Sequence, residues 1–234
     1  MSPNSDASRL NKFLALALGI SRREADNLIA RQVVKVNGQI ATLGSRLEKD
    51  DEITVNGRRI GTAIKYECLA LNKPTGYVCS RKKQGDTPTI YSLLPPRYQH
   101  LKTVGRLDRN SSGLILLTND GDFAYRMTHP KFHKVKIYKV RLDTDLQPLH
   151  QQMISDYGIN LQDGVSKLSL ERIKDSRKDW TVTMSEGRNR QIRRTFSALG
   201  YNVKKLHRTN FGNYSLGDIP SGKYKILDIR PMIY

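Results

Sequence analysis

Residues 105–121 read GRLDRNSSGLILLTNDG, which places one carboxylate in a polar turn directly before an apolar run. The apolar run at residues 115–117 is typical of a buried strand, and the Asn-Asp-Gly triplet after it is a turn signal. We therefore expect Asp108 in the loop that enters a central sheet, with Arg106 and Arg109 beside it. Because aspartate also favours ordinary turns, this segment alone supports a structural and a chemical role equally.

The composition favours a polyanionic partner. The 234-residue chain has 40 Lys and Arg residues against 22 Asp and Glu residues, a formal net charge of +18. Such an excess favours nucleic acid first and an anionic membrane surface second. No apolar run approaches the roughly 18 residues that span a bilayer, the N-terminus lacks a signal-peptide pattern, and no basic amphipathic helix with exposed aromatic residues is evident. These observations predict a cytoplasmic protein that binds nucleic acid and no membrane.

The cysteine and histidine residues match no metal or redox pattern. Cys68 and Cys79 are spaced for neither a C-x-x-C redox pair nor a zinc site, and two cysteines in a chain of this length make no disulfide framework. The five histidines are scattered without metal-ligand spacing. The sequence therefore predicts no metal, and both cysteines are expected to be small buried apolar side chains.

The N-terminal part predicts a small domain. Residues 1–7 are polar and are expected to form a disordered tail. Residues 8–57 combine helical apolar spacing, a capping box at residues 21–24 and β-type residues around Asn-Gly turn signals, which predicts two helices and a small sheet. Residues 58–64 lose the apolar pattern and contain a glycine, so they are predicted to be a linker.

Residues 65–234 predict a larger α+β domain. The patterns predict helices at residues 122–128, 147–157 and 190–199, and strands at residues 68–71, 135–142, 161–165, 168–173, 180–184, 203–208 and 226–229. Within the strand at residues 135–142, Tyr138 shares a face with Val140 and Leu142, so it should face the core or a cleft. A buried tyrosine with a satisfied hydroxyl group is the commoner interpretation of such a residue.

A dense basic block occupies residues 186–200, which start as a turn and continue as a helix. Arg188, Arg190, Arg193 and Arg194 all fall in the first turn and a half. Positive charge is unfavourable at a helix N-terminus because the helix dipole is already positive there. An anionic partner would reverse this cost, and either RNA phosphates or a buried carboxylate could supply it.

Four segments of the N-terminal part carry a family resemblance: RLNKFL at residues 9–14, SRREA at 21–25, VKVNG at 34–38 and DEITV at 51–55. Together they resemble the S4 RNA-binding domain. Residues 1–62 carry ten basic against seven acidic residues, so most of the net charge lies in the larger domain, to which RNA contact should extend. The resemblance implies that five basic residues bind RNA phosphates, although an ordinary solvated face would carry the same charges: Arg9, Lys12, Arg22, Arg23 and Lys35.

Three segments of the larger domain carry a second resemblance: NKPTGYVCS at residues 72–80, GRLDRNSSGL at 105–114, and EGRNRQIRR at 186–194 followed by LHR at 206–208. In order and spacing they are similar to the ribosomal RNA pseudouridine synthases that carry an N-terminal S4 domain. The resemblance extends over residues 8–230. It implies an α+β catalytic domain with a central, mostly antiparallel sheet and flanking helices around an RNA cleft.

The resemblance also implies roles for individual residues. Asp108 takes the position of the catalytic aspartate, and Tyr138 that of the tyrosine stacked against the target base. Arg193 takes the position of the arginine paired with the aspartate, and Leu206 that of an apolar wall. Further RNA contacts are predicted from basic residues of the three segments: Lys73, Arg106, Arg188, Arg190, Arg194 and Arg208.

The implied reaction detaches uracil from its ribose, turns it, and rejoins it through C5 instead of N1. It needs an ionised nucleophile, and the opposite charge of Arg193 would keep Asp108 ionised. Asp108 could attack the ribose or act as a base toward it. Tyr138 offers an aromatic face to a base that has left its stack. Because the isomerisation is redox-neutral and needs no external group, no cofactor is expected.

Two further alternatives stay open on the sequence. The chain could be a non-catalytic assembly factor that binds ribosomal RNA, although an intact Asp108, Tyr138 and Arg193 weaken that view. The His129-Pro130 pair after the predicted helix at residues 122–128 and the segment at residues 188–191 slightly favour 23S RNA as the target, whereas the segment at residues 72–80 resembles the enzyme of 16S RNA. A monomer is expected to suffice.

Overall fold

The computed structural model describes residues 8–61, 66–82 and 84–228. These residues divide into two compact units, with the boundary between Glu67 and Cys68. The predicted tail at residues 1–7 and the predicted linker residues 62–64 lie outside the described residues.

The first unit contains two helices and a small sheet, as the sequence predicts. Helix α2 begins at the predicted capping box: the Ser21 hydroxyl group accepts a hydrogen bond from Glu24 N at 3.1 Å, and the Glu24 carboxylate accepts one from Ser21 N at 3.5 Å. The elements of the unit are β1 (Ser8–Arg9), α1 (Leu10–Ala17), α2 (Arg22–Ala30), β2 (Val34–Val36), β3 (Gln39–Ile40), β4 (Arg46–Leu47), β5 (Ile53–Val55) and β6 (Arg58–Arg59).

Both Asn-Gly pairs of the first unit form hairpin turns. Asn37 and Gly38 have φ angles of 50° and 80°, and Asn56 and Gly57 have φ angles of 51° and 76°, as a type I′ turn requires. The second turn returns the chain as β6, which pairs with β5. The predicted linker at residues 58–64 is therefore wrong at its first two residues, because the turn continues the sheet instead of ending it.

The second unit contains the mixture of helices and strands that the sequence predicts. No helix among the described residues has both the length and the apolar character needed to cross a membrane. The helices are α3 (Gly121–Thr128), α4 (Pro148–Gln152) and α5 (Gln191–Ser197), with 3₁₀ turns at Ile90–Leu93, Pro96–Tyr98 and Pro130–Phe132 and a π-helical turn at Met153–Tyr157. The strands are β7 (Cys68–Lys73), β8 (Lys102–Val104), β9 (Ser112–Thr118), β10 (Lys136–Leu142), β11 (Ile159–Leu161), β12 (Gly164–Ser166), β13 (Ser169–Arg172), β14 (Asp179–Met184), β15 (Val203–Phe211), β16 (Tyr214–Ser215) and β17 (Tyr224–Leu227).

A nine-stranded sheet forms the centre of the second unit. Seven strands follow the order β13-β14-β10-β15-β9-β7-β17, while β16 pairs with β15 and β8 pairs with β9. These ladders are antiparallel except between β9 and β15, which run parallel where Ser112 faces His207 and Gly113 faces Arg208. The prediction of a mostly antiparallel central sheet is confirmed.

Apolar side chains cover both faces of this sheet at β9. Alternate residues of the strand point to opposite sides, so Ile115 belongs to a large core that includes Phe196 of α5, and Leu116 belongs to a second core that includes Phe123 and Met127 of α3. Phe123, Met127 and Phe196 are all buried, so both helices pack on the sheet through apolar side chains. Because both faces are filled, β9 is a rigid support for the loop that precedes it.

One predicted strand is wrong. The pattern predicts a strand at residues 161–165, but β11 ends at Leu161 and β12 begins at Gly164, so a hairpin turn lies between them. Gly164 has a φ angle of 110°, a conformation that glycine adopts readily and other residues rarely. Leu161 and Val165 are apolar residues of two different strands, which the one-dimensional pattern joins into one.

Candidate active site

A cleft of about 900 Å³ lies in the second unit. Its walls come from the loop before β9, the loop before α5, and the strands β10 and β15. Three residues with implied catalytic roles, Asp108, Tyr138 and Leu206, lie together in this lining, as do Arg106 and Arg190. The fold thus gathers Arg106 and Leu206, which are 100 positions apart in the sequence.

Asp108 lies in the loop that leads into β9, as the sequence predicts. Ser111 N donates a hydrogen bond to Asp108 O at 3.0 Å, and this bond closes a turn immediately before the strand begins at Ser112. The Asp108 side chain is 34% exposed. Its carboxylate is therefore attached to a buried strand and still accessible to a ligand in the cleft.

Lys73 holds the Asp108 loop from inside the protein. The residue is fully buried at the end of β7, and its ammonium group donates to Ser111 O at 2.7 Å, Pro74 O at 2.9 Å and Arg109 O at 3.4 Å. Burial lowers the pKa of Lys73, while the charges of Cys79 and Asp108 act in the opposite direction. The predicted RNA contact of Lys73 is wrong, because its side chain has no exposed surface and its donors are used by the loop.

Arg193 holds the same loop from the other side. Its guanidinium group donates to Val203 O at 2.7 Å and to Asn110 O at 2.8 Å, which ties the Asp108 loop to the start of β15. The ion pair with Asp108 that the resemblance assigns to Arg193 is made instead by Arg190, whose Nη1 lies 3.5 Å from Asp108 Oδ2. Burial and the charge of Arg190 lower the pKa of Arg193, and the charge of Asp108 raises it, so the Asp108 charge reaches Arg193 without an ion pair.

Tyr138 and Leu206 form an apolar wall of the cleft. They lie on the neighbouring strands β10 and β15, where Tyr138 pairs with Arg208 and Leu206 pairs with Val140. Tyr138 is 8% exposed and Leu206 is 7% exposed, so each presents only a small surface to the cleft. The alternation that places Tyr138 with Val140 and Leu142 is confirmed, since all three are buried.

Two other groups of the cleft lining are poorer nucleophiles than Asp108. Glu186 forms an ion pair with Arg188 at 3.0 Å and accepts a hydrogen bond from Gln191 at 3.2 Å. Burial raises the pKa of the Cys79 thiol, so Cys79 stays protonated near neutral pH and is unreactive as a thiol. The Asp108 carboxylate therefore remains the best candidate for covalent or base chemistry in the cleft.

Two of the four arginines at the start of α5, Arg188 and Arg194, share the carboxylate of Asp163. Arg194 donates to both carboxylate oxygens of Asp163, at 3.0 and 2.6 Å, and Arg188 donates to the same carboxylate at 3.0 Å and to Val165 O at 2.8 Å. The hydrogen bond from Arg194 is the main cause that lowers the pKa of Asp163. The Asp163 carboxylate is thus an anionic partner of this block, as one of the two alternatives predicts, and its side chain is 40% exposed instead of buried.

The predicted RNA contacts therefore separate into two groups. Arg188 and Arg194 donate hydrogen bonds to the hairpin formed by β11 and β12. Arg208 is 2% exposed and donates to Leu114 O at 2.7 Å. The structure gives these three residues internal partners, so a direct phosphate contact is not supported for them. Arg106 and Arg190 are exposed in the cleft lining and stay predicted RNA contacts.

The predicted RNA-binding residues of the first unit lie mostly on its surface. Arg9, Arg22, Arg23 and Lys35 are exposed, and Lys12 is half-buried. Arg22 donates to the Asn11 side chain at 3.1 Å, which orients its guanidinium group without burying it. These positions are accessible to a phosphate backbone, and their RNA contacts stay predictions.

Two residues of the site were missed in the sequence. Gly113 has a φ angle of 103°, and a Cβ atom there would lie 2.2 Å from Arg208 O, so only glycine allows β9 and β15 to meet. Lys136 donates to Glu186 O at 3.0 Å and to Lys134 O at 3.1 Å, and burial, followed by the charge of Arg208, lowers its pKa to about 8. A glycine directly before an apolar strand was the available signal for the first, whereas Lys136 gave none.

Two family profiles match the chain. The profile of the RNA pseudouridylate synthase family matches residues 67–198, and the profile of the S4 domain matches residues 8–53. The chain belongs to the RNA pseudouridylate synthase family. Both resemblances drawn from short sequence segments are thereby confirmed.

Relatives of two kinds are similar to this pseudouridylate synthase. Ribosomal small subunit pseudouridine synthase A of Pasteurella multocida is 37% identical over 225 residues, which cover 94% of this chain and 95% of the relative. Ribosomal large subunit pseudouridine synthase B of the same organism is 35% identical over 246 residues, which cover 100% of this chain and 70% of the relative. A crystal structure of a pseudouridylate synthase is 34% identical, covers 94% of this chain and 96% of its own, and has a TM-score of 0.66.

Proposed function

We propose that this pseudouridylate synthase converts uridine to pseudouridine in ribosomal RNA, with Asp108 as the catalytic residue. The observation that carries the proposal is the half-buried but accessible Asp108 carboxylate beside the apolar wall of Tyr138 and Leu206. A carboxylate can react with the ribose while an aromatic and aliphatic wall retains the detached base. The family membership of the chain supports the same reaction.

The reaction balances within the substrate. The bond between C1′ of the ribose and N1 of uracil breaks, the base turns, and a bond between C1′ and C5 forms. C5 gives up its proton, N1 gains one, and no oxidant or reductant is consumed. Asp108 either attacks C1′ or removes a proton from the ribose, and both routes begin from the ionised carboxylate beside Arg190.

The supports of the Asp108 loop suit a nucleophile that must keep its place while the base turns. Successive carbonyl groups of the loop accept hydrogen bonds from Lys73, Arg193 and Gly76 N, the last at 2.8 Å to Arg109 O. A group held by packed and charged partners loses little entropy when it reacts. We therefore assign Lys73 and Arg193 as positioning residues and Asp108 as the residue that touches the substrate.

The target base must enter the cleft from outside a stack. We assign Tyr138 to the face of the flipped uracil and Leu206 to the apolar wall next to it, since both line the cleft with Asp108. The exposed basic residues of the first unit would hold the RNA backbone, so the S4 domain acts as a docking module. The protein acts in the cytoplasm as a monomer under this proposal.

Release of tritium tests the reaction directly. Unmodified 16S and 23S ribosomal RNA transcripts carrying tritium at uridine C5 are incubated separately with the protein, and solvent tritium is counted. We expect release from one of the two transcripts, because C5 loses its hydrogen in the reaction. Binding of both transcripts without release from either would instead support the non-catalytic assembly factor.

The same experiment addresses the target subunit. The sequence slightly favours 23S RNA, while relatives named for the small and the large ribosomal subunit match this chain at 37% and 35% identity. These identities differ too little to favour one subunit, so the preference for 23S RNA stays a prediction. Release from the 16S transcript alone would contradict it.

A further inference from the structure

Three aromatic rings form a cluster beside the cleft, in which Tyr125 and His129 are exposed and Phe132 is half-buried. Tyr125 of α3 lies four residues before His129, with 4.7 Å between their ring centroids, and Phe132 lies 5.7 Å from Tyr125 and 6.4 Å from His129. We call Tyr125, His129 and Phe132 the rim cluster. Tyr125 is 46% exposed, whereas Phe123 and Met127 of the same helix fill the core. The rings of the rim cluster thus are not needed to attach α3 to the sheet.

A lysine accompanies the rim cluster. Lys131 Nζ lies 5.3 Å from the ring centroid of Tyr125 and 4.9 Å from that of Phe132. Lys131 N also donates to His129 Nδ1 at 3.2 Å, which fixes the 3₁₀ turn that carries the lysine. The cluster therefore presents aromatic faces and a positive charge at one place on the surface.

The rim cluster is continuous with the cleft of Asp108. His129 belongs to the cluster and to the cleft lining, and Pro130, His133 and Lys134 extend that lining from the same segment. An RNA strand whose target uridine occupies the cleft would pass over this segment. Single-stranded RNA is bound in proteins by stacking of its bases on aromatic rings, with cations at its phosphates.

We propose that the rim cluster stacks the base of an unpaired nucleotide next to the target uridine, with Lys131 at the adjoining phosphate. This inference rests on the proposed function, since it uses the cleft as the position of the target. The stacked neighbour would hold the strand in an unpaired form while the uridine is flipped. Aromatic stacking accepts any base, so the rim cluster would contribute affinity more than sequence preference.

The test compares a normal and an abasic RNA. Fluorescein-labelled octauridylate and an abasic oligomer of the same length are bound to the full-length protein, and Kd is measured by fluorescence anisotropy. Tyr125→Ala should weaken octauridylate binding by about fivefold to thirtyfold, the loss expected for one base–aromatic stack. Abasic oligomer binding should change by less than about twofold, because the phosphates are unchanged.

Two further variants control the comparison. Tyr125→Phe keeps the ring and should bind octauridylate within about twofold of the wild type. Tyr125→Leu keeps an apolar side chain without a ring and should behave like Tyr125→Ala, so it serves if the alanine variant unfolds. With labelled ribosomal RNA as substrate, Tyr125→Ala should raise KM and leave kcat unchanged, as expected for uniform binding.

The outcomes separate this inference from the proposed function. Equal weakening of octauridylate and abasic RNA, or no weakening of either, would overturn the stacking role. Absence of tritium release from both transcripts would overturn the proposed function and leave the two Kd values meaningful. A fall in kcat with unchanged KM would also contradict the rim cluster as a binding element.

Discussion

The basic residues with predicted RNA contacts differ in exposure between the two units. In the first unit, the predicted RNA-binding residues Arg9, Arg22, Arg23 and Lys35 are exposed. In the second unit, Lys73 and Arg208 are buried, and Arg193, Arg188 and Arg194 donate hydrogen bonds to other groups of the protein. The second unit carries most of the net charge and uses part of it to hold its own loops.

This difference teaches that formal charge and binding surface are separate properties. A buried lysine is acceptable only when carbonyl or carboxylate groups replace its water, and the Asp108 loop supplies the carbonyl groups of Ser111 and Arg109 to Lys73. Arginine in the second unit forms forked contacts to backbone oxygen atoms and to Asp163. Substitution of the buried or internally hydrogen-bonded cations of the second unit should therefore act on stability and catalysis, and substitution of the exposed basic residues of the first unit on RNA affinity.

The largest expected effect comes from Asp108, whose loop is held in place by Lys73 and Arg193. Asp108→Asn keeps the shape of the side chain and removes its negative charge, so turnover should fall by at least about a thousandfold. RNA affinity should stay within about threefold, because the other contacts are unchanged. Tritium release and anisotropy titration measure the two effects, with Asp218→Asn, an exposed carboxylate outside the cleft lining, as the matched control. A large loss of binding would contradict the assigned role.

Lys73→Met should give the next largest effect. It leaves carbonyl groups of the Asp108 loop without their donor, so the free energy of unfolding should fall by about 3 kcal/mol and turnover should fall with it. Chemical denaturation measures the first quantity and tritium release the second. Lys82→Met, which removes an exposed lysine, should change stability by less than about 0.5 kcal/mol. Weakened RNA binding at unchanged stability would reverse the comparison between the units.

The double variant Arg22→Ala and Arg23→Ala should show the opposite pattern. Stability should change by less than about 0.5 kcal/mol, since both side chains are exposed. RNA affinity should fall, and the salt dependence of log K should decrease by about one for each lost phosphate contact. Anisotropy titrations at several KCl concentrations measure this slope. Arg31→Ala, an exposed arginine of the same unit outside the predicted set, should leave the slope unchanged.

A further expected effect is a pH dependence of stability at Lys136. Its pKa is about 8 in the folded protein, against an ordinary value of 10.5 in the unfolded chain. Between these pH values the unfolded chain binds more protons, so the contribution of Lys136 to the free energy of unfolding rises with increasing pH. Lys136→Met should lack this rise. The free energy of unfolding of the variant is subtracted from that of the wild type at several pH values, which cancels the contributions of other groups. A difference that does not grow with pH would contradict the lowered pKa of Lys136.

Local chemistry predicted the elements well and their partners less well. The capping box at Ser21, the turn after β9 and the inward side of β10 follow from residue type and spacing, which act over a few residues. The sequence does not predict the continuation of the sheet through Arg58 and Arg59, because the apolar pattern lapses after the second Asn-Gly pair. The hairpin at Gly164 was missed because apolar residues on both sides of a turn resemble one strand.

The candidate site was predicted in its members and not in its contacts. Asp108, Tyr138 and Leu206 meet in one cleft, as the resemblance to the family implies. Whether an arginine pairs with Asp108 or with a backbone carbonyl group depends on tertiary packing. In this structure Arg190 makes the ion pair with Asp108, and Arg193 donates to a backbone carbonyl group of the same loop. The same packing placed Lys73 beneath the loop, although its sequence position beside a Pro-Thr-Gly turn resembles that of a surface residue.

Gly113 sets the span between the Asp108 carboxylate and the apolar wall that contains Leu206. Asp108 lies four residues before Ser112, and Leu206 lies one residue before its parallel partner His207. Since a Cβ atom at Gly113 would collide with the main chain of Arg208, the two strands touch with no side chain as a spacer. Redesign of the lining side chains can therefore change which base fits while this span stays constant. A larger residue at position 113 would instead widen it for every base alike.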